Sequence, residues 1–422
     1  MSMLVLGSLF GIVTLLFMFS GAPIAFALGS VAVLFMALFM PASALDTVTQ
    51  NVYEEMASIT LLSIPLFILK GAAIGKSRAG QDLYAAMHVW MGRIPGGLGI
   101  ANVFACALFA AMAGSSPATC SAIGSAGIPE MRKRGYSPGF AAGIIAAGGT
   151  LGILLVVLFA VYAALRYRKE YALAEAEFNR TGAASALLSK ETFTTRQKFE
   201  MLPRVVPFVL LLIGVMVALY GGFATPSETA GLGALLALGL IAVIYGVWRP
   251  RDVAPILTST LKESTMLMFI IGMSLLFSYV MSYLHISQAV AEWIVGMHLS
   301  KWVLLAAVLL MVILLGFFLP PVSIILMTAP IILPPLKAAG FDLIWFGILM
   351  TIVMETGLIH PPVGLNIFVI KNIAPDIDLR DIIWGVLPFV VLMLLAVLLI
   401  CIFPSIATGL PDLVMGAVAA GH

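Results

Sequence analysis

A carboxylate, a hydroxyl and an imidazole stand close together late in the chain, in Met354-Glu355-Thr356-Gly357-Leu358-Ile359-His360-Pro361-Pro362-Val363-Gly364. They lie inside an apolar run from about Phe341 to Ile370 that is long enough to cross a bilayer once. Gly357 and the Pro361-Pro362 pair oppose a continuous helix there, because proline removes a donor and clashes with the preceding turn. Backbone opened at membrane depth is tolerated only where it is buried in protein or lines a polar cavity. Secondary transporters use such broken helices to offer carbonyls to cations and helix N-termini to anions. A proline kink that serves packing alone is the plain alternative. Glu355 and His360, both costly in lipid, weigh against it.

A second constellation lies upstream. Two apolar arms, about Ala101 to Ala113 and Ala118 to Ile128, are each too short to span, and Gly114-Ser115-Ser116-Pro117 sits between them. Half-length arms around a small polar tip read as a re-entrant hairpin; one long, proline-kinked span is the alternative. Trp302 to Pro335 repeats the pattern, with its tip at Pro320-Pro321-Val322-Ser323. The two halves superimpose at a constant offset of 205 positions, as from Pro129 to Pro334, Gly135 to Gly340 and Gly152 to Gly357. Thr150 then falls on Glu355, just ahead of the break.

Composition sets the frame for these motifs. The 422 residues are 62% hydrophobic and 10% charged, with a mean hydropathy of +1.12. That balance describes a polytopic helical membrane protein, and unbroken apolar runs exclude an outer-membrane barrel. Cys106, Cys120 and Cys401 lack metal-ligand spacing and read as small buried residues. No cofactor is expected. The five histidines have no paired cysteine, aspartate or second histidine, which argues against an intramembrane enzyme.

The elements that must position the motifs fall in order. Residues 1–93 give spans over Met3–Phe19, Ile24–Met40 and Ile59–Ile74. Gln81–Arg93 then fits either an interfacial helix or a helix packed at the surface. Residues 94–165 hold the first hairpin and the first break, and 166–204 form a basic loop. Nucleic-acid binding by that loop is improbable, since acids interleave its basic residues and no aromatic platform is present. Residues 205–301 give further spans, 302–382 the second hairpin and break, and 383–422 the last span. Arg132-Lys133-Arg134 follows the first hairpin and only Lys337 the second, so the positive-inside rule opens the hairpins to opposite sides. The fold class is therefore an all-α integral membrane protein with inverted repeats, each carrying a re-entrant hairpin and a broken transmembrane helix.

Several motifs resemble the large membrane subunit of tripartite ATP-independent periplasmic (TRAP) transporters. They are Gly114-Ser115-Ser116-Pro117-Ala118-Thr119, Met131-Arg132-Lys133-Arg134-Gly135-Tyr136, Gly149-Thr150-Leu151-Gly152, Thr225-Pro226-Ser227-Glu228 and His360-Pro361-Pro362-Val363-Gly364-Leu365-Asn366. The resemblance spans nearly the whole chain. It implies an elevator-type permease of the bacterial inner membrane, working with a small membrane subunit and a periplasmic solute-binding protein. Its implied work is sodium-driven import of an organic anion such as a dicarboxylate or sugar acid. The chain begins directly with a first span, so the small subunit is expected as a separate chain.

The resemblance also implies two sodium sites. One would use Ser115, Ser116, Gly149, Thr150 and Gly152, and the other Val322, Ser323, Glu355, Thr356 and Gly357. Hydroxyls and freed carbonyls suit a hard cation, although small residues at helix contacts commonly serve packing. Substrate contacts would come from Ser116, Pro117, Pro321, His360, Pro361, Pro362 and Asn366. Glu355 reads equally as a structural carboxylate, His360 as a helix-end hydrogen-bonder, and Asn366 as either contact or support.

The chain departs from the family pattern after Gly152, where Leu154 runs straight into Leu155-Val156-Val157 with no proline pair, outer loop or separate returning span. The 31 residues between Arg134 and Arg166 reach about 46 Å as helix, enough for one crossing but not two. One crossing would carry the basic loop to the wrong side. A short helical hairpin around Gly148-Gly149 would keep it on the side of Arg134, and that arrangement is favoured here. A stand-alone carboxylate carrier and a transport-inactive subunit are the rival functions.

Overall fold

The computed structural model describes the chain apart from residues 1–2, 42–48, 51, 55, 93, 151–152, 182–186, 188–192, 298–299, 317–320, 362–363 and 410–422. Among the described residues there are helices and turns and no strand. In chain order the helices are α1 (Met3–Phe19), α2 (Ile24–Phe39), α3 (Ile59–Lys76), α4 (Ala79–Met91), α5 (Gly97–Ala113) and α6 (Ser116–Lys133). They continue with α7 (Pro138–Gly148), α8 (Ile153–Thr181), α9 (Thr195–Tyr220), α10 (Pro226–Tyr245), α11 (Pro250–Tyr283) and α12 (Ile286–Gly296). The last are α13 (Lys301–Gly316), α14 (Pro321–Ala338), α15 (Leu343–Ile359), α16 (Leu365–Ile373) and α17 (Leu379–Ile402). By length and composition α3, α10, α11 and α17 can each cross a membrane.

The chain separates into two compact units: Met1–Leu61 with Lys262–Gly357 and Ile400–His422, and Leu62–Leu261 with Leu358–Leu399. In the first, α12 packs on α1 and α14, and the Phe10 ring meets Phe35 edge to face at 4.7 Å and Phe277 at a tilt at 4.6 Å. In the second, α5 packs on α4, α6, α7 and α8, and α16 lies on α6 and α7. The α4 helix buries Leu83, Tyr84, Ala86 and Val89, so it is a packing helix of this unit.

The internal repeat is visible in backbone detail. The α6 and α14 helices start at Ser116 and Pro321 and end at Lys133 and Ala338, each pair at the offset read from the sequence. Both are closed by a glycine in the left-handed region, Gly135 at φ 81° and Gly340 at φ 80°. Both closures make the same bonds: Gly135 N to Arg132 O and Tyr136 N to Met131 O, then Gly340 N to Lys337 O and Phe341 N to Leu336 O. This is the Schellman type of helix end, in which glycine avoids the penalty that a Cβ would carry. The next helices, α7 and α15, again begin in register, behind Ser137 and Asp342.

They differ in length, 11 residues for α7 against 17 for α15. At about 1.5 Å per residue α7 is about 16 Å long, near half of a hydrocarbon core of about 30 Å. The chain then turns back. Tyr136 stacks near Tyr167 at 5.9 Å, Ser137 donates from its hydroxyl (2.5 Å) and amide (3.3 Å) to Glu170, and Phe140 meets Tyr162 at 6.2 Å. Rising numbers on α7 meet falling numbers on α8, so the two helices form an antiparallel hairpin. Of the two arrangements open from chain length, the structure adopts the hairpin, which returns Arg166 to the end of the unit where Arg134 lies.

Two glycines on α7 allow this hairpin to sit tightly on α17. A methyl group at Gly143 would overlap Gly385 O, and one at Gly385 would overlap Gly139 O. Small residues four apart let backbones approach where lipid supplies no hydrophobic drive. Phe389, fully buried on α17, completes the contact with Phe140, Phe159 and Tyr162 around it. Truncating such a ring costs about 3–5 kcal/mol.

Candidate functional site

Hairpin tip one is built by local rules. The α5 helix ends on Gly114 at φ 64°, whose amide bonds Ala110 O at 2.8 Å. Ser115 then caps α6: its Oγ accepts from Ala118 N at 3.4 Å and its carbonyl from Thr119 Oγ1 at 2.9 Å. Pro117 lies in the first turn, where its missing donor is harmless. Ser116, buried, points inward.

Its partner comes from 250 residues away. Asn366, fully buried on the first turn of α16, donates from Nδ2 to Ser116 Oγ at 2.8 Å and to Ala146 O at 2.9 Å. Because Ala146 O can only accept, the amide orientation is fixed by chemistry. Asn366 Oδ1 then faces away from both partners and receives no hydrogen bond among the described residues. A buried carbonyl oxygen left so is costly, and it is free to meet a cation or an N–H. Gly149 closes the contact, since a methyl group there would lie 2.6 Å from Ser116 Oγ and 2.7 Å from Ser116 O. Thr150, also buried, donates to Ala147 O at 2.7 Å and lies 3.7 Å from Met393 Sδ. Thus Ser115, Ser116, Gly149, Thr150 and Asn366 meet in one unit, while Gly152 lies outside the described residues.

The second set lies on α15. Thr356 is buried and donates to Ile352 O at 2.7 Å, and Glu355 beside it is half-buried. Gly357 meets Gly316, the last residue of α13, so closely that an added methyl group would sit 2.8 Å from the Gly316 backbone. Pro321, Val322 and Ser323 form the first turn of α14. His360 follows the end of α15 with Nδ1 against Pro361 O. Pro362 lies outside the described residues, and Gly364 precedes α16 as its cap.

At the open end of the first hairpin lie two ion pairs. Arg132 pairs with Asp376, in the connector between α16 and α17. That hydrogen bond holds the Asp376 carboxyl below the usual range. Arg134 donates to Glu130 at 2.8 and 3.1 Å and lowers it in the same way. Sequence reasoning did not single out Asn102, Lys70 or the Arg132–Asp376 pair. Asn102 and Lys70 carried a legible signal, a polar side chain within an apolar helix.

Among the described residues, helices throughout, hairpin arms with a break beside each and several helices long enough to span define a polytopic all-α membrane protein. The crystal structure of the Alcanivorax borkumensis YdaH transporter shares this fold, with a TM-score of 0.59 at 12% identity, covering 91% of this chain and 96% of that one. Residues 11–406 match the family described as tripartite ATP-independent periplasmic transporter, DctM component, and the chain belongs to that family. The C4-dicarboxylate TRAP transporter large permease protein DctM of Rhodobacter capsulatus is 32% identical over 435 residues, covering 96% of this chain and 98% of that one. Its Pseudomonas aeruginosa counterpart is 34% identical over 401 residues (91% and 93%). The sialic acid large permease protein SiaM of Vibrio cholerae is 26% identical over 431 residues (97% and 99%). Those relatives are permease subunits and not enzymes. The 435-position alignment exceeds the 422 residues of this chain, so it must place gaps within it.

Proposed function

We propose that this chain is the permease through which a sodium gradient drives uptake of an organic anion. A C4-dicarboxylate is the first candidate, because the relatives at 32% and 34% identity are named for it. The anion is handed over by a periplasmic binding protein and the chain works beside a small membrane subunit in the bacterial inner membrane. The hairpin-bearing elements carry the anion by an elevator-like displacement. Sodium is bound as co-substrate by oxygens, for which the neutral groups of Ser115, Ser116, Thr150 and Asn366 in one unit and the Glu355 carboxylate with the Thr356 hydroxyl in the other are suited. The observation that supports this most is the Asn366 junction, where a hairpin tip and two helix breaks converge on an oxygen that has no donor among the described residues.

The test is uptake of labelled succinate into proteoliposomes holding this chain and the small subunit, with binding protein outside. Sodium-dependent accumulation is expected, and uptake without binding protein would instead indicate a stand-alone carrier. The short α7 favours a second reading, a subunit that assembles without transporting. Absence of uptake of succinate, a sialic acid and isethionate with every component present would establish it.

A further inference from the structure

Lys70 lies within α3, a helix apolar and long enough to cross a membrane, yet it is only 4% exposed. Its stem rests against Gly233 of α10 and its ammonium stands 4.7 Å over the Phe67 ring. Among the described residues no carboxylate pairs with this ammonium and no oxygen accepts from it. An aromatic face compensates only part of the hydration a buried ammonium gives up. Lysines at such depth are rare, and they pair with acids or carbonyls or mark a substrate path. Lys70 makes neither structural pairing.

Its neighbour shows which path. Gly71 packs backbone to backbone on the end of α5, where a methyl group would overlap Ala113 O. Ala113 is the last residue before Gly114 and Ser115, so α3 crosses the first hairpin at its tip. The tip offers a carboxylate the Ser116 amide at the N-terminus of α6 and two serine hydroxyls, all neutral donors. A full negative charge in a low-dielectric place also needs a counter-charge. Lysine supplies one on a flexible four-carbon stem, and Lys70 stands one position before the residue that packs on the tip.

We propose that Lys70 receives a carboxylate of the transported anion beside the first hairpin tip, an assignment that rests on the organic-anion reading above. It makes recognition depend on the negative end of the substrate, not on its length or its hydroxyls.

Thermal unfolding of the purified complex of this chain with its small subunit tests the assignment, with succinate and the uncharged succinamide as probes. Succinate is expected to raise the Tm of the natural complex and succinamide to leave it unchanged. Lys70→Met should weaken the succinate effect roughly 10- to 100-fold while keeping the shift caused by sodium, and Lys70→Arg should keep most of both. Should Lys70→Met fold poorly, amidination of Lys70 in the natural complex, read by mass spectrometry, should be slowed by succinate and not by succinamide. A succinate shift retained in Lys70→Met, or amidination indifferent to succinate, removes Lys70 and leaves the anion reading standing. Loss of the small subunit from Lys70→Met complexes would place a carboxylate of that subunit on the ammonium and overturn the proposal. No shift by succinate in the natural complex would bring down the dicarboxylate reading, and this assignment with it.

Discussion

Replacing Asn366 with leucine removes both donations, to Ser116 Oγ and Ala146 O, and leaves Ala146 O with only the weak Cys120 Sγ contact at 3.6 Å. A buried acceptor left so costs about 1–3 kcal/mol. Asn366→Leu is therefore expected to lower uptake at least roughly tenfold at an unchanged membrane level on immunoblot; wild-type uptake would remove Asn366 from the site. Gly149→Ala is expected to lower the Tm of the detergent-solubilised chain, since its methyl group meets Ser116 backbone. The control Gly75→Ala, in a helix with nothing within 4 Å, should leave the Tm unchanged or slightly raised. Equal effects of the two would locate the cost in the helix rather than the contact. At this scale the sequence singled out residues that the structure brings together, but not their pairing. Ser116, Gly149 and Asn366 stood out as polar or small residues beside breaks. Nothing local could join Asn366 to a serine 250 positions away.

At the scale of elements, the α7–α8 hairpin is clasped by Ser137–Glu170 and Tyr136–Tyr167. Cysteines placed at Lys133 and at Ala176, both exposed, are expected to share the cytoplasmic face: both should resist an impermeant maleimide in intact cells and react with it in inside-out vesicles. Labelling of the two from opposite faces would contradict the hairpin. The Arg132–Asp376 pair should be pH-sensitive in a definite direction. A carboxyl held low when folded stabilises at neutral pH and loses that contribution as the pH falls through its folded value. The Tm gap between wild type and Asp376→Asn should thus be small, since the pair is exposed, and should close below about pH 4. A gap that persists in acid would show that charge is not its source. Helix ends were legible wherever a local signal fixed them: Gly135 and Gly340 closed α6 and α14, and Thr225 with Glu228 capped α10 as a box. The hairpin itself could only be narrowed to two choices, because an apolar run between basic flanks carries no mark of where it turns.

Across the whole molecule the candidate residues divide between two units, with Glu355 to Gly357 in one and the Asn366 junction in the other. If both serve one transport cycle, damage to either should suffice. Gly357→Ala, whose methyl group has no room against the Gly316 backbone, is expected to abolish sodium-dependent succinate uptake with the Asn366 junction untouched. Undiminished uptake would remove the second set from the cycle. The repeat, read first as scattered prolines and glycines at one spacing, is a property of this scale, and it was legible because identical helix closures need the same residue twice. The antiparallel return of α8 against α7 has one more consequence, a matter of parity. A stretch that leaves and comes back on the same side counts as an even number of traverses, whatever its depth. Shortening it changes how far the polypeptide dips but not the compartment that any later loop enters. The insertion machinery therefore meets α9 to α17 in the same sense whether the first break is long or short, and a lineage can trim this half of the duplication without turning the other half over.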